Sequence, residues 1–158
     1  GWPAASMWAK QIGYDPNRDA EGNLTFGVAA QANGYGLEWG LQGTAGKRTD
    51  TTATNSASLD GGAATAFGFQ AYLHMFAVVG PSCTVKIQSS SDNGVGDAFA
   101  DVTGGGFAAV LGAAKGAQRI ATAANLAVER YLRVVTTGTF SSAVFAVNIV
   151  RNDVAPVV

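Results

Sequence analysis

Apolar and polar positions alternate with a period of two over most of this chain, the pattern of β-strands with one face covered. Residues 6–14 and 24–31 alternate on either side of a stretch rich in Asp, Asn, Pro and Gly, residues 15–23. Together they predict a hairpin with a long loop. A third short run, residues 35–40, follows Asn33-Gly34, a dipeptide that favours tight turns with positive φ. Three strands in residues 1–45 enclose too little apolar surface to offset the entropy of ordering the chain. This segment is therefore expected to need further chain, a partner or a neighbouring subunit.

Residues 43–65 are dominated by Thr, Ser, Ala, Gly, Asn and Asp, and their one large apolar residue is Leu59, so they read as linker. Alternation resumes at Phe67. Phe69, Ala71, Leu73, Met75, Ala77 and Val79 fall on one face, and Gln70, Tyr72, His74, Phe76 and Val78 on the other, which predicts a strand covered at least in part on both sides. Residues 83–88 alternate cleanly. A Ser/Asp/Asn/Gly loop, residues 89–96, carries the chain into residues 98–102 as a second hairpin. Residues 130–135 and 143–150 are rich in β-branched and aromatic side chains and predict a final hairpin around residues 136–141. Residues 108–128 have helix-favouring alanines, but Gly112, Gly116, Ile120 and Thr122 interrupt them, so short strands and loops are expected. The expected architecture is all-β: residues 1–45 as a partial β domain, 46–65 as linker, and 66–158 as an antiparallel β-sandwich of immunoglobulin-like or jelly-roll-like type.

Composition narrows the function. Apolar residues make up 47% of the 158, but charged residues only 13%, about half the usual share, so Gly, Ser, Thr, Asn or a neighbouring protein must cover the surface. A net charge of −1 lacks the positive field that neutralises phosphates, so sequence-specific nucleic-acid binding is not expected. The longest apolar stretch, residues 72–79, is broken by His74 and far shorter than the roughly 20 residues that cross a bilayer, so no membrane partner is expected. No basic region leads into an apolar run near Gly1-Trp2-Pro3, so no signal peptide is expected.

The chemistry-bearing residues are sparse. Cys83 is the sole cysteine and His74 the sole histidine, which rules out an intrachain disulfide and the ligand clusters of zinc or copper sites. Asp15, Asn17, Asp19 and Glu21 sit at alternate positions like the start of a calcium loop. Ala20 stands where that loop needs Gly and Phe26 where it needs Glu, so a solvated turn is expected instead. Gly46-Lys47 fails as a phosphate loop at Leu41 and Arg48, and Gly94-Val95-Gly96 fails as a dinucleotide fingerprint at Phe99. His74 lies mid-strand with no nucleophile-elbow motif in the chain, and the acids lie mostly in turn-like loops, so neither a triad nor a glycosidase carboxylate pair is expected. Asn23-Leu24-Thr25 matches a glycosylation acceptor, relevant only to a secreted eukaryotic protein. Trp2, Trp8, Tyr35, Trp39, Tyr72 and Phe76 could form a sugar-stacking platform, with core or interface packing the stronger expectation. Arg119, Arg130 and Arg133 could align to bind a neighbour's carboxylate, with a solvated face the commoner outcome. The chain reads as no enzyme: no residue is assigned as catalytic, cofactor-binding or metal-ligating.

Several strings resemble a known family. Residues 23–31 (NLTFGVAAQ) and 32–40 (ANGYGLEWG) are similar to the closing strands of tail-tube-like major tail proteins of long-tailed bacteriophages. Residues 84–93 (TVKIQSSSDN), 99–104 (FADVTG), 118–122 (QRIAT), 130–140 (RYLRVVTTGTF) and 145–147 (FAV) resemble the β-sandwich part of the same proteins. The resemblance implies a virion structural subunit that assembles into phage tails in the bacterial host cytoplasm, with copies of itself and other virion proteins as partners. Its first segment would complete a tube-forming β domain, and its second would decorate the tube or stabilise neighbours. The opening strands of such a tube domain have no counterpart in the sequence. The alternatives are a capsid-decorating protein and a carbohydrate-binding β-sandwich.

Overall fold

The alternating pattern folds as strand throughout. The computed structural model describes residues 1–155, and among these there are thirteen strands and no helix. In chain order they are β1 (Pro3–Ser6), β2 (Ala9–Arg18), β3 (Leu24–Ala32), β4 (Glu38–Gln42), β5 (Arg48–Asp50), β6 (Leu59–Asp60) and β7 (Phe69–Val79). They continue with β8 (Ser82–Ser90), β9 (Ala100–Gly106), β10 (Val110–Leu111), β11 (Gly116–Ala121), β12 (Tyr131–Thr139) and β13 (Ser142–Arg151). The chain divides into two compact units: a body of residues 1–4 with 40 onward, and a hairpin unit of residues 5–39.

The body is a β-sandwich of a six-stranded and a five-stranded sheet. The first runs β1-β4-β13-β7-β11 with β5 also on β13, and the second runs β10-β8-β12-β6 with β9 also on β8. Phe69, Ala71, Leu73 and Met75 of β7 with Phe145, Val147 and Ile149 of β13 face Cys83, Val85 and Ile87 of β8 with Leu132 and Val134 of β12. These side chains are all buried, and their spacing of two residues is what lets each sheet turn a single apolar face inward. Burying an aliphatic or aromatic side chain of this kind contributes about 1.5–3 kcal/mol, so this layer supplies most of what holds the body together.

Alternation breaks once in β7. The pairing with β13 shifts between Val144 and Phe145, leaving Phe76 as the extra residue of a bulge. Odd-numbered residues face the core before the bulge and Val78 faces it after, so Val78 is buried while Phe76 and Val79 are exposed. Period-two reading straight through residues 67–79 inverts the last turn of the strand.

The expected final hairpin does not form. β12 pairs with β8 and β6, whereas β13 pairs with β7, β4 and β5 in the opposite sheet. The chain crosses between sheets at Phe140 and Ser141. Phe140 is buried in the core and the Ser141 N–H donates to the Val79 carbonyl at 2.7 Å. The expected hairpin of residues 83–88 with 98–102 does form, as β8 with β9, with Gln88 opposite Asp101. Residues 108–128 hold the short strands β10 and β11, in line with the glycines and β-branched residues there.

Compact units and expected boundaries fall in different places. Residues 46–65 belong to the body, contributing β5, β6 and the bridges Asn55↔Val135 and Thr65↔Val128. Their small polar side chains and backbone find partners there: the Ser56 N–H donates to the Val134 carbonyl at 2.8 Å, and the Val134 N–H to Ser56 Oγ at 2.9 Å. The hairpin unit is β2 paired antiparallel with β3, register Tyr14↔Val28, Pro16↔Phe26 and Arg18↔Leu24, with a bulge at Ile12.

Candidate functional site

The hairpin unit has no core. None of residues 5–39 is buried. Its strands sort side chains onto two unlike faces. Tyr14, Pro16, Arg18, Leu24, Phe26 and Val28 share one face, apolar except for Arg18 at its turn end, and there the Tyr14 and Phe26 rings stack with centroids 5.6 Å apart. Gly13, Asp15, Asn17, Thr25, Gly27 and Ala29 share the other, which is small and polar. Ile12, carried by the bulge, adds another exposed aliphatic side chain. Tyr14, Leu24, Phe26, Val28 and Ile12 are each 54–63% exposed, so the apolar face is uncovered along its length.

The loop closing this hairpin is shorter than the sequence suggested, because residues 15–18 continue β2. Asp19 makes the turn: its carboxylate accepts from the Asn23 backbone N–H at 2.7 Å and from Asn23 Nδ2 at 2.9 Å, and Gly22 takes φ +88°. Those bonds hold the Asp19 carboxyl below its ordinary range, the Asn23 side chain contributing most. Asp15 and Asn17 lie on the strand and Asp19 in the turn, so these oxygens do not converge on a point as calcium ligands would.

In the body, a cleft of about 500 Å³ is lined by Trp2, Gln42, Arg48, Asn55, Ser56 and Leu59 among others. Trp2 stands at its edge, 77% exposed. The Arg48 guanidinium forks onto Asp50 at 2.6 and 2.7 Å and also donates to the carbonyls of Val134 and Thr54 at 3.3 and 3.2 Å. It is thus structural, holding the cleft wall rather than offering its charge to a ligand. Sequence reading missed this group because it lies in the presumed linker. The signal was Arg48-Thr49-Asp50: a spacing of two puts both charges on one face of a strand.

The six aromatic candidates are divided between the two units. Trp8, Tyr35 and Trp39 are in the hairpin unit. Tyr72 is buried against Arg119, whose Nε donates to the Tyr72 hydroxyl at 3.1 Å, and Phe76 sits in the β7 bulge. The three arginines are likewise dispersed. Arg119 is on β11 in the six-stranded sheet. Arg130 forks onto Asp60 at 2.7 Å through each of two nitrogens, and Arg133 donates to Gln88 Oε1 at 2.7 and 2.9 Å beneath the Phe99 ring. His74 points out of its sheet, flanked in register by Ala117 and Ala146, neither of which can orient an imidazole.

Gly94 and Gly96 serve a turn. Asp92 accepts from the backbone N–H groups of Val95, Gly96 and Asp97, which holds its carboxyl below the usual range, the Gly96 bond contributing most. Among the described residues no group of three or more His, Cys, Asp or Glu side chains could hold a metal ion, and no helix is long and apolar enough to cross a membrane. The chain matches no family model, no curated protein and no solved structure.

Proposed function

We propose that this chain is a self-assembling structural subunit of the kind that builds bacteriophage tails, acting through its surfaces and not through catalysis. The observation that carries the reading is the hairpin unit. Its two paired strands present one largely apolar face, and not one residue of the unit is buried. A lone two-stranded hairpin is marginally stable in water, so a face of this kind is a surface to be covered by protein. Low charge and the strings resembling tail proteins support the same reading.

Negative-stain electron microscopy of the intact, full-length gene product, with light scattering across concentration, tests it. Rings, tubes or defined oligomers are expected. A monodisperse monomer at high concentration overturns the reading, and isolated particles that bind glycans through the Trp2 cleft would replace it with carbohydrate recognition.

A further inference from the structure

We infer that the hairpin unit is an assembly element whose apolar face packs on the same face of a second copy, the two ribbons running antiparallel about a two-fold axis. The inference rests on the self-assembly reading and specifies which surface mediates it.

The size of the face fits such a pair. An aromatic side chain carries about 150–250 Å² and an aliphatic one less, so Tyr14, Phe26, Ile12, Leu24 and Val28, each a little over half exposed, offer roughly 500 Å². Two such faces together remove about 1,000 Å² from water, the least that a specific interface is expected to bury. Against the small and polar opposite face, with Asp15, Asn17 and Thr25, the same ribbon would leave its apolar face wet and desolvate polar groups without partners. The face is thus complementary to its own copy and poorly matched to its own reverse side.

Charge selects the orientation. The unit carries two basic side chains, Lys10 and Arg18, and four acidic ones, Asp15, Asp19, Glu21 and Glu38. Asp19 and Glu21 are at the turn with Arg18, which leaves that end one negative charge in excess, whereas Lys10 is at the open end, opposite Gln31. Parallel apposition would set one net-negative turn against another, while two-fold apposition sets the turn of one ribbon over the Lys10 end of the other. The outer edge of β2 is a poorer route to pairing, because the bulge at Ile12 and the missing N–H of Pro16 interrupt its row of donors.

Val28 lies about halfway along the ribbon, where a residue approaches its own symmetry mate. In the full chain, Val28→Cys should give disulfide-linked dimers on mild oxidation, whereas Thr25→Cys, on the opposite face, should not. The native Cys83 is fully buried and does not compete. Joint replacement Phe26→Asp with Val28→Asp should weaken association at least tenfold by light scattering, with Asn17→Lys as the control that leaves it unchanged. Retained Cys83 protection from thiol reagents shows that the body has stayed folded. Oligomers that survive the Asp pair unchanged, with equal crosslinking from Val28→Cys and Thr25→Cys, overturn the inference but leave the self-assembly reading standing. A parent chain that remains monomeric and a Val28→Cys chain that never links overturn both.

Discussion

Replacing Asp50 with Ala should destabilise the body by about 3–5 kcal/mol, the cost of stranding one partner of a buried ion pair. The side chains of Arg48 and Asp50 are 14% and 4% exposed, and both Asp50 oxygens are taken by the Arg48 fork. Thr136, buried on β12 of the other sheet, donates to Asp50 Oδ2 at 2.7 Å and accepts from the Thr54 N–H at 3.0 Å. One carboxylate thus ties β5 of the six-stranded sheet to β12 of the five-stranded sheet. Its removal leaves a guanidinium facing no anion and deprives a buried hydroxyl of its shorter acceptor. Thr136→Val should cost less, about 1–3 kcal/mol, because it removes one hydroxyl and leaves the charge pair intact. Urea denaturation followed by far-UV circular dichroism, with all variants sharing one slope, reads both values directly. A loss below about 1 kcal/mol for Asp50→Ala is the scale of an exposed pair. That result would mean residues 48–54 are held no more firmly than a linker and would refute the role given to this network.

Two further outcomes are expected. The Arg130 fork, followed by the Gly62 N–H, holds the Asp60 carboxyl at about 2, below its ordinary 3.8. A carboxyl depressed on folding stabilises above its unfolded value and loses that contribution as pH falls through the folded one. Tm should therefore drop between about pH 4 and pH 2 less steeply for Asp60→Asn than for the parent, and parallel curves would sink the assignment. Burial, with a smaller contribution from Asp50, pushes the Cys83 thiol up to about 11. At pH 8 its reaction with a thiol reagent should be on the order of a hundredfold slower in the native chain than in urea, and equal rates would place Cys83 outside the core.

Much of the fold was legible because alternation is a local signal. Phe69, Leu73, Val85, Ile87, Val134 and Phe145 declare themselves as strand residues with one face covered, and all are fully buried. Partners were not legible, because a period of two defines faces and says nothing about which strand lies alongside. Hence residues 130–135 and 143–150, neighbours in sequence and alike in composition, fold into opposite sheets. Composition also misplaced the segment around Arg48. Ser, Thr and Gly mark linkers because they contribute little apolar area, but the same residues can be ordered by hydrogen bonds, as Thr54 and Ser56 are through Thr136 and Val134.

The hairpin unit carries that reasoning one step further. Leu24, Phe26 and Val28 alternate with Thr25, Gly27 and Ala29 as regularly as the buried residues of β8 alternate with their neighbours, so sequence alone gives both strands the same covered face. In β8 the cover is the opposite sheet of the body, whereas in β3 every residue remains exposed. Local patterning records that a face is meant to be covered without recording whether its cover belongs to the same chain. Where the folded chain leaves such a face bare, as in the hairpin unit, the periodicity that builds a core elsewhere in the molecule is what supports the proposal that another molecule covers it.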